Sequence, residues 1–170
     1  MRSMSDPPAP QIAVSGGGSC TDRERRLAVE VGRELGRRGA ILLCGGHGGV
    51  MAAAVEGARA AGGLTVGILP GSPGDAGADP ALAIRVHTAM GQARNQILVR
   101  SADAVIAVGG EWGTLSEIAL AVKQGIPVIS LDSWLPEREG LESRGRLLTA
   151  TTALEAVELA LGAVADARTV

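Results

Sequence analysis

The sequence predicts an α/β fold: a doubly wound, mostly parallel, Rossmann-like sheet in three layers. Three observations carry that prediction. Short apolar runs alternate with longer amphipathic ones along the chain, which is the pattern of repeated βαβ units. The apolar runs are continuous instead of alternating with polar residues, so both faces of the sheet are covered. Three glycine clusters, SGGGS at 15–19, CGGHGG at 44–49 and VGGEWGT at 108–114, each lead from an apolar run into an amphipathic one.

In chain order, QIAVS (11–15) is the first strand and residues 22–38 the first helix. AILLC (40–44) is the second strand, followed by an Ala-rich helix over about 48–61. LTVGIL (64–69) and LAIRVH (82–87) are strands separated by a glycine- and proline-rich loop at 70–81. A helix over 91–101 leads to the strand DAVIAV (103–108), and a helix over 114–124 leads to PVISL (127–131). An irregular stretch at 132–150 precedes a last helix over about 152–165. Thr21-x-x-Glu24, Thr114-x-x-Glu117 and Thr152-x-x-Glu155 have capping-box spacing and mark three of the helix starts.

A length of 170 residues suits one domain. We place it over 11–170, after a disordered N-terminal tail at 1–10, MRSMSDPPAP, whose prolines and aspartate make a poor signal peptide. Net charge is −2 and no basic run occurs, so a broad phosphate footprint for nucleic acid is not expected. Tyr and Phe are absent and there are two Trp, which leaves no base-stacking platform. No apolar run approaches the roughly 20 residues that span a membrane. Cys20 and Cys44 stand 24 positions apart without a CxxC. Free thiols in a reducing cytoplasm, with no metal site, are the simpler expectation.

Ligands of open parallel sheets bind at the carboxyl ends of strands, near the point where strand order reverses. Backbone N–H groups at a helix start, unobstructed by a Cβ, cradle an anion. We therefore expect a phosphorylated ligand. Gly17, Gly18, Ser19, Gly113 and Thr114 would be donors, and Gly45, Gly46, Gly48, Gly49, Gly109 and Gly110 would admit the ligand to the backbone. The bland alternative is that these glycines only make tight βα turns. A P-loop is excluded, since no G-x-x-x-x-G-K-[ST] occurs. The dinucleotide fingerprint fails as well: the sixth position is Thr21 after Gly16-x-Gly18 and Met51 after Gly46-x-Gly48. The single lysine, Lys123, lies late in its helix, which disfavours a pyridoxal Schiff base.

Arg94 and Asn95 open the helix over 91–101, and Asn95 is expected among the ligand-binding residues. A cation in a first turn is unfavourable, so an anion is expected beside Arg94, either a substrate phosphate or the Glu117 carboxylate. Glu117 reads as a helix cap first and as a catalyst second. Trp112 could cover a flat heterocycle or meet a neighbouring subunit, and Glu111 could accept from ring N–H groups. His47 contacts the ligand or is solvated.

The segments CGGHGGVMAAAVEGARAAGGLTVGILPG, ARNQ and DAVIAVGGEWGTLSEIALAVKQGIPVISL resemble the LOG-like Rossmann superfamily (SLOG), and within it the small molybdenum-cofactor-carrier-like proteins. The resemblance runs from about residue 11 to 131. It implies binding of a phosphorylated pterin molybdenum cofactor or a nucleotide as cargo, no required cofactor, and a homodimer or homotetramer. The apolar helix surface Ile118-Ala-Leu-Ala-Val122 also suggests such an oligomer. The related LOG phosphoribohydrolases cleave nucleoside monophosphates with an Arg and the Glu of PGGxGTxxE, and by motif these are Arg94 and Glu117. Two departures stand out: Glu111 falls where those hydrolases have glycine, and Asn95 replaces the lysine of their Arg-Lys pair. A nucleotide-binding regulatory module is a third expectation. The fold is shared with the DNA-processing DprA proteins, but the acidic balance lends DNA binding no support.

Overall fold

The computed structural model describes residues 7–137 and 146–169. Seven strands form one sheet: β1 (Gln11–Gly16), β2 (Ile41–Cys44), β3 (Thr65–Leu69), β4 (Ile84–His87), β5 (Ala104–Val108), β6 (Val128–Leu131) and β7 (Leu147–Ala150). The helices are α1 (Asp22–Arg37), α2 (Gly49–Ala60), α3 (Arg94–Arg100), α4 (Trp112–Lys123) and α5 (Ala153–Thr169). A 3₁₀ turn at Gly91–Ala93 precedes α3.

All pairings are parallel and the strand order is β4-β3-β2-β1-β5-β6-β7. The chain winds outward from β1 to β4, then returns to β5 on the other side of β1. The reversal therefore lies between β1 and β5, whose ends Gly16 and Val108 are register partners. Side chains of β1 split between two cores, as expected for a doubly covered sheet. Ile12 and Val14 join residues of α1, α2 and α5, including Val31, Val50 and Val157. Ala13 joins residues of α3 and α4, including Leu98 and Ile118.

Several expectations change in detail. β7 falls inside the stretch expected to be irregular. LLTA is an edge strand, mostly half-buried or exposed, so its apolar pattern is weak. Residues 138–145 of that stretch and residues 1–6 of the expected tail lie outside the described residues. Pro8 and Pro10 accept hydrogen bonds from Arg168 and Ile41. Ile118 and Ala121, expected on an oligomer face, are buried in the protein's own core, because α4 turns that stripe toward β5.

α1 and α2 approach closely through reciprocal glycines. A Cβ on Gly32 would come 2.8 Å from the Ala54 carbonyl carbon, and one on Gly57 2.8 Å from that of Val29. Gly32→Ala is expected to force these helices apart and cost about 2 kcal/mol, in the range of overpacked cores. Urea titration reads this directly, and an unchanged midpoint would contradict the close packing.

Candidate functional site

The three glycine turns follow β2, β1 and β5, which are neighbours, so the turns lie side by side across the reversal. Specific contacts join them. Val50 N–H donates to Gly17 O at 3.1 Å. Gly49 holds a left-handed φ of +61° and packs on the Gly17 carbonyl. Ser19 Oγ donates to Glu111 Oε1 at 3.4 Å. Gly109, at φ +52°, packs on the Glu24 carboxyl group.

The three helix starts are not equivalent. α1 is closed by its own capping box, with Thr21 and Glu24 bonded reciprocally as their spacing predicts. α2 and α4 begin at Gly48 and Glu111 with no side-chain cap. Their first N–H groups lack an intrahelical partner, and in α2 the Val50 N–H is taken by Gly17 O. An anion at the crevice would therefore be held by α2, α4 and the Gly17–Ser19 backbone, and not by the start of α1. Gly46 does not open on the crevice. At φ +79° it turns the chain with its bare side on Leu69 and Leu82.

The capping-box expectation for Thr114 and Glu117 is overturned. Left-handed Gly109 and Gly110 turn the chain early, so α4 starts at Trp112 and Thr114 already lies inside its first turn. Glu117 sits a turn further on and faces inward. Its Oε2 accepts from Ser15 Oγ, and its Oε1 accepts from Arg94 Nη1 at 3.2 Å. Both side chains of the ion pair are less than a tenth exposed. The anion expected beside Arg94 is thus the Glu117 carboxylate. Burial pushes the Glu117 carboxyl above its ordinary range, while the Ser15 hydrogen bond and Arg94 oppose that shift. The third capping motif is half-formed: Thr152 Oγ1 accepts from Glu155 N, but the Glu155 carboxylate bonds Thr151.

Gly45 is the floor beneath the guanidinium, where a Cβ would stand 2.5 Å from Arg94 Nη2 and 2.8 Å from Nη1. Arg94 Nε is buried without a partner. Asn95 Nδ2 donates to Ser116 Oγ at 2.9 Å, and Ser116 Oγ donates to Gly113 O at 2.8 Å. That chain of donors fixes the amide orientation and leaves Asn95 Oδ1 a buried acceptor without a partner. The Cys44 thiol lies near Arg94, Glu117 and Asp79, and burial pushes it up to about 12. Among the described residues no group of three or more His, Cys, Asp or Glu could hold a metal ion.

Trp112 is 77% exposed, and its ring lies 5.5 Å from that of Trp134, tilted by 32°. Trp134 Nε1 donates to Gly110 O at 3.2 Å, and Ser133 Oγ donates to Gly109 O. The sequence reading missed Trp134 and Ser15. A signal existed for Trp134: it is the second of only two aromatic residues and follows a strand end. For Ser15 there was none, because its partner is 102 positions away.

A parallel sheet reversing at β1, with glycine-rich turns gathered on that reversal, defines a Rossmann-like α/β protein. Residues 9–158 match the SLOG cluster4 family, and the chain belongs to that family. The molybdenum cofactor binding protein of Rippkaea orientalis superposes with a TM-score of 0.81 at 36% identity, covering 94% of this chain and 98% of that one. The Moco carrier protein of Chlamydomonas reinhardtii does so with a TM-score of 0.81 at 33% identity, covering 94% and 99%. A cytokinin riboside 5′-monophosphate phosphoribohydrolase of Mycobacterium tuberculosis is 36% identical over 120 residues, 64% of this chain and 62% of that protein. Among the described residues no helix is long and apolar enough to cross a membrane.

Proposed function

We propose that the protein binds a small phosphorylated heterocycle at the carboxyl edge of the sheet and carries it, with a molybdopterin-type cofactor as the leading ligand and a nucleotide as the alternative. The carrying observation is the gathering of uncapped α2 and α4 starts with the Gly17–Ser19 backbone on the β1–β5 reversal. Gly17, Gly18, Ser19, Gly113 and Thr114 donate to the phosphate. Gly48 leaves its backbone open to the ligand, whereas the bare sides of Gly45, Gly49, Gly109 and Gly110 are filled by Arg94, the Gly17–Gly18 backbone, Glu24 and Thr114, and Glu111 and Trp112 meet the ligand where it leaves the crevice. Arg94, whose charge Glu117 balances, braces the Gly45 turn behind these donors. The likeness to two molybdenum cofactor proteins supports the choice of ligand. No metal ligand from the chain is needed, since the organic part and its phosphate supply the handles. The reading includes self-association, with the exposed Ile84 and Val86 of edge strand β4 as its apolar surface.

One observation favours a second reading, hydrolysis of a nucleoside monophosphate: the buried Arg94–Glu117 pair is intact. An ionised Glu117 would stabilise an oxocarbenium-like centre and Arg94 would steady the developing charge.

Native mass spectrometry against a phosphorylated pterin, AMP and GMP, followed by an assay for ribose 5-phosphate, separates the two. The carrier reading expects a one-to-one complex and no release of ribose 5-phosphate. Release that disappears in Glu117→Gln would transfer the site to the hydrolase reading. Failure to retain any phosphorylated compound would defeat both.

A further inference from the structure

A second concavity lies on the same edge of the sheet, past the ends of β3 and β4. It encloses about 260 Å³. Leu69, Ala76 and Ala78 give it an apolar lining, while His47, His87 and Asp75 supply polar groups. His47 comes from the glycine turn after β2, which is also the turn that floors Arg94. His47 therefore reaches the cleft from the same turn whose Gly45 packs on Arg94. Neighbouring strands stand about 4.8 Å apart, so β3 lies roughly 10 Å from β1 along the edge. That is the reach of a ligand anchored by phosphate at one end.

Hydrogen bonds at both ends hold the loop over this cleft. Leu69 O accepts from Thr88 N at 3.1 Å and from Thr88 Oγ1 at 2.7 Å. Ser72 N donates to Asp75 Oδ2 at 2.6 Å, and Asp79 N donates to Gly46 O at 2.8 Å. Ala89, two residues beyond His87, holds a left-handed φ of +53°, a strained conformation of the kind that collects at ligand sites. A wall fixed in advance lowers the ordering cost of binding.

We propose that this cleft is the ring subsite of the phosphate-anchored ligand, selecting a bicyclic heterocycle that bears an amino group, either a purine or a pterin. The proposal rests on the phosphate-ligand reading above. The volume is slightly below the roughly 300–1,000 Å³ of sites that hold a whole small ligand, so it suits the ring while the phosphate stays outside. The apolar lining meets the ring faces. The imidazoles belong to the lining and hydrogen-bond the heterocycle, and the Asp75 carboxylate, an acceptor, selects ring N–H and amino groups. His47 and His87 are thereby specificity-determining residues.

The test is calorimetric titration of the whole chain with inorganic phosphate, UMP, AMP, GMP and hydroxymethylpterin phosphate. At least one amino-bearing bicyclic ligand is expected to bind roughly tenfold or more tighter than UMP. Ala78→Trp, which fills the cleft, is expected to remove that advantage while phosphate affinity stays within about twofold. If Ala78→Trp lacks a cooperative thermal transition, His87→Ala decides, with an expected loss of roughly fivefold for the ring-bearing ligand alone. Ring-bearing ligands that bind no better than UMP, or whose affinity neither variant changes, overturn the subsite and leave the phosphate reading standing. A protein that binds none of the five, phosphate included, fails at the earlier step.

Discussion

Arg94→Met is expected to destabilise the protein by about 3 kcal/mol, because it strands the Glu117 carboxylate in a site from which water is excluded. The pair is nine-tenths buried, and removing one partner costs more than the pair itself contributes. The carboxyl is already raised by burial, and losing Arg94 removes an opposing influence. Its folded pKa therefore rises further above the ordinary 4.5. A carboxyl that holds its proton more tightly when folded contributes stability that is fully present below the unfolded pKa. That stability is lost as pH rises through the folded value. Urea denaturation between about pH 4 and 8 should therefore show stability falling with pH more steeply in Arg94→Met than in the parent. Adding Glu117→Gln should restore much of the loss and flatten the slope. A single variant as stable as the parent at neutral pH, or a double variant no better than the single, would show that the two side chains do not depend on each other.

Gly49→Val carries the second large effect. A β-branched residue at φ +61° is strained by about 1–3 kcal/mol. Its Cβ would also press on the Gly17 carbonyl and stand 2.6 Å from the Gly18 carbonyl carbon. The turns after β1 and β2 must separate, and the Val50 N–H to Gly17 O bond at 3.1 Å is lost with them. We expect a total cost of about 4 kcal/mol and phosphate affinity reduced roughly 100-fold. Gly62→Val is the control, since Gly62 has a similar φ of +75° with no atom within 4 Å of its Cβ position. It should show only the strain and bind ligand normally. Equal losses in stability and binding for the two variants would mean that close approach of the turns does not build the crevice.

Much of the architecture was legible in the chain because burial on both faces leaves a local trace. Val105, Ile106, Ala107 and Val108 are all buried, and an unbroken apolar run is what such a strand requires. Local chemistry also revealed the start of α1, where Thr21 and Glu24 need only each other. The same local spacing misled at Thr114, since two left-handed glycines began the helix earlier than its motif suggests. β7 left little trace because an edge strand needs no fully apolar face.

By itself the sequence determined the α/β class, the order of elements and the glycine turns at the strand ends, because each is imposed by backbone preferences and burial over a few residues. Tertiary structure alone decided that β1 would lie between β2 and β5, that Arg94 would meet Glu117 from 23 positions away, and that Ser15 would bond the same carboxylate. It also decided that Trp112 would pack on Trp134, and that the two histidines would share a cleft. These contacts depend on how the strands are threaded into the sheet, and that order follows from packing energy summed over the whole molecule, which no short stretch records.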